Sequence, residues 1–265
     1  MAKVYLDPGH GGYDDGAVKY VTEDAVNLVM ALACRDYLIA NGVTVKMSRT
    51  TDTGTSITSM ANAANAWGAD IAVSIHNNAG GGDGFEAYYG IGSDMNGSKG
   101  LAAAIEAEVK KIGQNSRGLK TKANSSGRDY FGFIRLTNMP SIILEGAFVD
   151  NRADAAQIDT TAEQKAFGYA YARGILKYLG IADKGLDGGK KPEVKPTPSK
   201  PAVVDGIYLV RVSKEINIYD APLKVIDKCP KGAYTIVEEK NGFGKLKSST
   251  KNNPKWIELS EASKI

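Results

Sequence analysis

Val4-Tyr5-Leu6-Asp7-Pro8-Gly9-His10-Gly11-Gly12 is the stretch from which the rest of the chain can be read. An apolar run enters Asp-Pro-Gly, a turn signal, and the turn presents a histidine between glycines. A buried strand that ends in a tight turn delivers its next side chain to the edge of a sheet, where open α/β folds keep their ligand sites. A second run, Ile71-Ala72-Val73-Ser74-Ile75, leads in the same way to His76. These are the chain's two histidines, so the two runs predict one shared site, with a metal as its natural occupant.

Outward from these strands the pattern alternates. Residues 24–39 place Val26, Leu28, Val29, Leu32, Ala33, Tyr37 and Leu38 at mostly helical spacing, and Asn41-Gly42 supplies a left-handed stop. Residues 43–47 alternate as a strand. A helix over 56–67 stops at Gly68. The continuous apolar run over 71–75 suits a strand buried on both faces. A strand over 85–89, a helix over 99–112, a polar loop over 114–130, a short strand over 131–136, a strongly apolar strand over 141–145 and a last helix over 162–179 complete the pattern. Strands alternating with helices predict an α/β domain over 1–182, a twisted, mostly parallel sheet flanked by helices.

Composition then shifts. Residues 183–205 carry Gly188-Gly189, Lys191-Pro192 and Lys195-Pro196-Thr197-Pro198, which predicts a charged, semi-extended linker. Five short strands follow over 208–212, 216–219, 234–237, 245–247 and 256–259. Turns such as Pro230-Lys231-Gly232 and Asn241-Gly242 separate them, so residues 206–265 read as a small all-β barrel.

A chain of 265 residues with 43% hydrophobic and 24% charged residues falls in the ordinary globular range. No apolar run reaches membrane-spanning length, so no membrane insertion is expected. Met1-Ala2-Lys3 leads straight into the first strand, and no secretory signal is expected. The net charge of +3 is unevenly spread. Residues 1–183 hold 17 basic and 20 acidic side chains, while residues 184–265 hold 16 and 10. The basic end suits an anionic polymer or a simply solvated surface. Cys34 and Cys229 fit no metal spacing; Cys34 reads as core, and no disulfide is expected.

Zinc favours imidazole nitrogen and carboxylate oxygen, and a catalytic zinc keeps three protein ligands and one open position. With no cysteine cluster, the third ligand is expected to be Asp or Glu. Glu23 begins the first helix, directly after the turn carrying His10, so the chain returns it to the same edge; the alternative is a favourable charge in a first helical turn. Glu145 ends the run Ile142-Ile143-Leu144, where a carboxylate is paired or functional. It is a candidate general base, or else a structural ion pair with Arg135 or Arg152. Glu86, Asn78 and Ser74 are further candidates beside the site. A serine nucleophile lacks its G-x-S-x-G elbow, and no phosphate-binding glycine motif follows a strand into a helix, so nucleotide chemistry is not expected.

These pieces occur in a familiar order: Asp7 to Gly12, Glu23-Asp24-Ala25-Val26-Asn27-Leu28, Ser74-Ile75-His76-Asn77-Asn78-Ala79, Gly84-Phe85-Glu86, and Asn138 through Glu145 to Asn151. Together they resemble the zinc-dependent N-acetylmuramoyl-L-alanine amidases of the amidase-3 type over residues 1–180. The family's usual Glu-Lys-Asp is here Glu23-Asp24-Ala25, with Glu23 keeping its spacing to Asn27. The resemblance implies one zinc ion on His10, Glu23 and His76, with Glu145 as the catalytic glutamate. It implies cleavage of the amide between the lactyl group of N-acetylmuramic acid and L-alanine in peptidoglycan. Residues 206–265 resemble, more weakly, a bacterial Src-homology-3-like wall-binding domain, in which Tyr219, Phe243 and Trp256 are candidate wall contacts. The implied partners are peptidoglycan and anionic wall polymers, not nucleic acid. A phage endolysin, made in the host cytoplasm and released to the wall by lysis, fits a chain without a secretory signal, as does an autolysin. A zinc peptidase cutting within the stem or cross-bridge, and a catalytically inactive wall-binding protein, remain as alternatives.

Overall fold

The structure, a computed structural model, describes residues 1–91 and 97–187, and the strand segments 208–212, 216–219, 225–229, 232–240, 243–246, 255–258 and 262–264. Backbone contacts divide the chain into two units, Met1–Lys191 and Pro192–Ile265.

The first unit alternates as expected. β1 (Lys3–Pro8), α1 (Glu23–Ala40), β2 (Thr44–Met47), α2 (Ile57–Trp67) and β3 (Ile71–Asn78) come first. Then follow β4 (Phe85–Tyr89), α3 (Ser98–Lys111), β5 (Ser116–Lys120), α4 (Gly132–Leu136), β6 (Ser141–Phe148), α5 (Arg152–Ala155) and α6 (Thr161–Tyr178). The six strands form one mixed sheet in the order β2-β1-β3-β6-β4-β5. β4 runs antiparallel to β6, while β1–β2, β1–β3, β3–β6 and β4–β5 are parallel.

Strand alternation assigns the two faces. Val4, Leu6, Val73, Ile75, Ile142 and Leu144 pack against residues of α1, α3 and α6, such as Met30, Ile105 and Tyr171. Tyr5 and Ala72, one step out of phase, pack against Met60 and Ala64 of α2 and Phe133 of α4. Cys34 is a free, fully buried core thiol.

Two expectations are corrected. The polar stretch 114–130 contains β5, an edge strand, and most of the stretch expected as a strand over 131–136 forms the one-turn helix α4 instead. Phe133 inserts between sheet and α2 and is 4% exposed, so burial by tertiary packing selects the helical turn. Residues 183–185, expected to open the linker, are tied to the end of α1: Tyr37 Oη donates to Asp183, and Asn41 accepts from Lys184 N–H and donates to Gly185 O.

The crossing that matters is at β1. The chain leaves β1 through α1 to β2 on one side and returns through α2 to β3 on the other. The carboxyl ends of β1 and β3 therefore flank a topological switch point, where α/β sheets open a crevice.

In the second unit, seven antiparallel strands pair in the order β13-β7-β10-β11-β12-β8-β9. These are β7 (Tyr208–Val212), β8 (Ile216–Tyr219), β9 (Val225–Cys229), β10 (Gly232–Lys240), β11 (Phe243–Leu246), β12 (Trp256–Glu258) and β13 (Ala262–Lys264). The expected five strands are present, with β9 and β13 added. Among the described residues no helix is long and apolar enough to cross a membrane.

Candidate metal centre

His10 follows β1 with φ of 62°, a left-handed conformation rare outside glycine. Gly9 N–H anchors the turn on Ile75 O at 2.9 Å. Arg49, buried at the end of β2, holds it from below: its guanidinium donates to Pro8 O, Gly9 O and Asp24 O, each at 2.9 Å. One planar cation thus ties the strand end to the start of α1. The sequence singled out neither Arg49 nor its role, since a lone arginine after a strand reads as surface.

The glycines permit close packing around the turn, and Gly9 and Gly11 also line the cleft. A Cβ on Gly9 would stand 2.2 Å from the His76 ring, and one on Gly16 would stand 2.6 Å from Glu23 Oε2 and 2.7 Å from His10 Cδ2. Gly11 and Gly12 back onto Thr53 O and Gly54 N in the same way.

The structure brings His10, Glu23 and His76 together. His10 Nε2 and His76 Nδ1 each lie 3.2 Å from Glu23 Oε1, and one ligand atom from each of the three residues falls within 4.8 Å of the others. Glu23 opens α1, and its carboxylate is fixed by Ala17 N–H at 2.9 Å and Asn77 N–H at 3.1 Å. Asp14, which sequence reasoning passed over inside a polar loop, sits 2.9 Å from His10 Nδ1 and so orients the ring. Beneath them Asp7 is buried and accepts from Ser48 and Ser74. Ser74 thus supports Asp7 from the floor of the site.

The electrostatics match this donor set. The hydrogen bond to Glu23, aided by Asp14, pushes His10 up to about 9. Burial alone would raise Glu23, but its two histidine partners hold its carboxyl well below the usual range. Burial likewise opposes a charge on His76, and the bond to Glu23 outweighs it, raising that imidazole. The negative potential that retains protons here also favours a cation. Two imidazole nitrogens and a carboxylate, with no thiolate, form the donor set of a catalytic zinc.

Glu145 stands opposite His76 in the β3–β6 register. Burial pushes its carboxyl up to about 7, and among the described residues its buried Oε2 has no hydrogen-bond partner. Neither arginine considered for an ion pair reaches it: Arg135 donates to Asp129 O and Tyr130 O, and Arg152 lies over the Tyr20 ring. His10, His76 and Glu145 line one cleft of roughly 310 Å³, walled by Ile57, Met60, Phe131 and Phe133.

Glu86 also lies beside the site, opposite Glu145 in the β4–β6 register. It is a paired group, accepting from Asn78, Tyr88, Arg117 and Lys120. Asn78 is spent on that contact and on the loop N–H of Ala79. The backbones of Tyr219, Phe243 and Trp256 lie in β8, β11 and β12, with Trp256 paired to Tyr219; their side chains lie outside the described residues.

Residues 4–177 match the Amidase_3 family, described as N-acetylmuramoyl-L-alanine amidase. The chain is 38% identical over 187 residues to N-acetylmuramoyl-L-alanine amidase CwlM of Bacillus licheniformis, covering 69% of this chain and 70% of that protein. It is 32% identical over 213 residues to the endolysin of Bacillus phage SPP1, covering 76% and 74%. The solved catalytic domain of CwlV, an amidase of Bacillus (Paenibacillus) polymyxa, superposes with a TM-score of 0.62 at 30% identity, covering 69% of this chain and all of that one (100%).

Proposed function

We propose that zinc serves catalysis here, because this chain belongs to the N-acetylmuramoyl-L-alanine amidase family and is a peptidoglycan amidase, and because its donor set fits that ion. The bond cut joins the lactyl group of N-acetylmuramic acid to L-alanine of the stem peptide. His10, Glu23 and His76 would hold the ion. When bound, it supplies Lewis acidity toward a water and toward the amide carbonyl.

The protein's own part is proton transfer and exclusion of solvent. Glu145 takes a proton from the attacking water at its carboxylate as the new C–O bond forms. It returns that proton to the alanine nitrogen as the C–N bond breaks, leaving a lactyl carboxylic acid and an alanine amine, which exchange the remaining proton to give a carboxylate and an ammonium. A carboxyl near 7 is suited to both halves of this exchange. Ile57, Met60, Phe131 and Phe133 form an apolar wall that strengthens the electrostatics of the site. The observation that carries the reading is the buried Glu145 Oε2, without a hydrogen-bond partner among the described residues and one strand away from the His–Glu–His group.

We read residues 1–182 as the catalytic domain, 183–205 as a linker whose first residues are held on that domain by Tyr37 and Asn41, and 206–265 as a Src-homology-3-like barrel that binds the wall. The excess of basic residues over 184–265 supports contact with anionic wall polymers, and Tyr219, Phe243 and Trp256 are its proposed contacts. The relation to a phage endolysin supports release to the wall after lysis of the producing cell.

The test is a digest of defined peptidoglycan. Free L-alanine amino termini should accumulate without new reducing sugars; chelation should abolish this and zinc should restore it. New reducing ends, cuts within the stem, or indifference to chelation would each refute the reading.

A further inference from the structure

Arg117 and Lys120 lie three residues apart on β5, a spacing that in a regular strand sends side chains to opposite faces. Here both meet the Glu86 carboxylate. The reason is a bulge. Phe85 pairs with Ser116 and Ala87 with Leu119, so the single residue Glu86 faces two, Arg117 and Gly118. Gly118 takes φ of 90°, which a side chain would resist. The extra residue brings Arg117 and Lys120 to the face that carries Glu86 and, one strand further in, Glu145.

Charge balance makes this arrangement more than a lock on an edge strand. One buried carboxylate, 4% exposed, receives two cations as well as hydrogen bonds from Asn78 and Tyr88. Among the described residues, one positive charge is left over by this pairing. The cations remain reachable, at 43% exposed for Arg117 and 33% for Lys120. Glu86 holds both heads in place, so little side-chain entropy is lost when they take a ligand. Tyr88 links the cluster to the cleft, with its ring 4.7 Å from that of Phe131. By contrast, the α2 wall of the cleft, Ile57 and Met60, is uncharged.

We propose that Arg117 and Lys120 form a subsite for a free carboxylate on the peptide side of the scissile amide. This rests on the amidase reading with Glu145 at the reacting centre. The two sides of the substrate differ in charge: the N-acetylated sugars are neutral once the lactyl group is amidated, and the stem peptide carries the carboxylates. The uncharged wall therefore suits the glycan and the cationic edge suits the peptide. A charge-assisted contact of this kind is worth about tenfold or more in kcat/KM between a carboxylate and its amide.

The probes are two synthetic muramoyl dipeptides, N-acetylmuramoyl-L-alanyl-D-glutamate and its D-isoglutamine counterpart, both with the γ-carboxyl blocked as the methylamide, so that they differ only in a free α-carboxylate against an α-carboxamide. The unsubstituted protein should prefer the α-carboxylate by about tenfold, mainly through KM. In Lys120→Gln, and separately in Arg117→Gln, that preference should shrink toward unity. Each single variant leaves Glu86 one cation, and folding is checked by thermal melting. Equal kcat/KM for the two probes in the unsubstituted protein, or a preference untouched by both variants, would overturn the subsite. If neither probe nor whole peptidoglycan releases an L-alanine amine, the amidase reading has failed instead.

Discussion

Glu145 and His76 occupy paired positions on adjacent parallel strands, so the proposed proton carrier and a proposed metal ligand share one face of the sheet. Backbone register alone fixes their proximity. Loops supply only His10 and its supports.

Replacement of Glu145 by Gln should lower turnover by about 10²–10⁴-fold, the usual value of a positioned acid–base group. Zinc content, measured by elemental analysis, should stay at the level of the unsubstituted protein. Full turnover in Glu145→Gln would remove this residue from its role.

Asp14 holds His10 Nδ1 at 2.9 Å from an exposed loop position. Asp14→Asn should weaken zinc binding by about 10–100-fold through loss of ring orientation and imidazole basicity. Competition with a chelating dye measures this directly. Unchanged affinity would make the contact incidental.

Gly9→Ala tests the packing beneath the centre. Its Cβ would lie 2.2 Å from the His76 ring, so the ring must move. The expected cost is about 1–3 kcal/mol of stability, with loss of stoichiometric zinc while circular dichroism still reports the fold. A variant that retains zinc at full affinity would contradict the geometry.

A pH experiment on chelated protein isolates Glu145. Its carboxyl is raised from 4.5 to about 7 by burial. As pH rises through this window, the unfolded chain releases that proton first. Stability from this group is therefore present below about 4.5 and lost as pH climbs through 7. Relative to the unsubstituted protein, Glu145→Gln should gain about 2 kcal/mol between pH 4.5 and 8, a value discounted for partial exposure. Urea titrations at the two pH values give the difference, and a gain of the opposite sign would contradict the assignment.

Much of this was legible because apolar periodicity and turn chemistry are local. The runs over Val4–Leu6 and Ile71–Ile75 announced buried strands, and the turn residues marked where their histidines emerge. Glu23 could be reached by connectivity, since a short βα excursion returns the chain to the same sheet edge. β5 escaped notice because Ser116-Arg117-Gly118-Leu119-Lys120 is polar and interrupted by glycine; its partner strand makes it a strand. α4 escaped because a five-residue apolar stretch suits either conformation until packing against α2 decides.

The sequence by itself determined the alternation of strands and helices, the positions of both histidines at strand ends, and the change of character beyond residue 183. These follow from short-range preferences that each segment carries within itself. Tertiary structure alone decided that Glu86 is neutralised while Glu145 is not, though both are carboxylates on adjacent strands. It also decided that Arg49 turns inward to backbone carbonyls and that a bulge brings Arg117 and Lys120 to one side. Charge pairing and desolvation depend on neighbours distant in the chain, and only the register of the folded sheet chooses them.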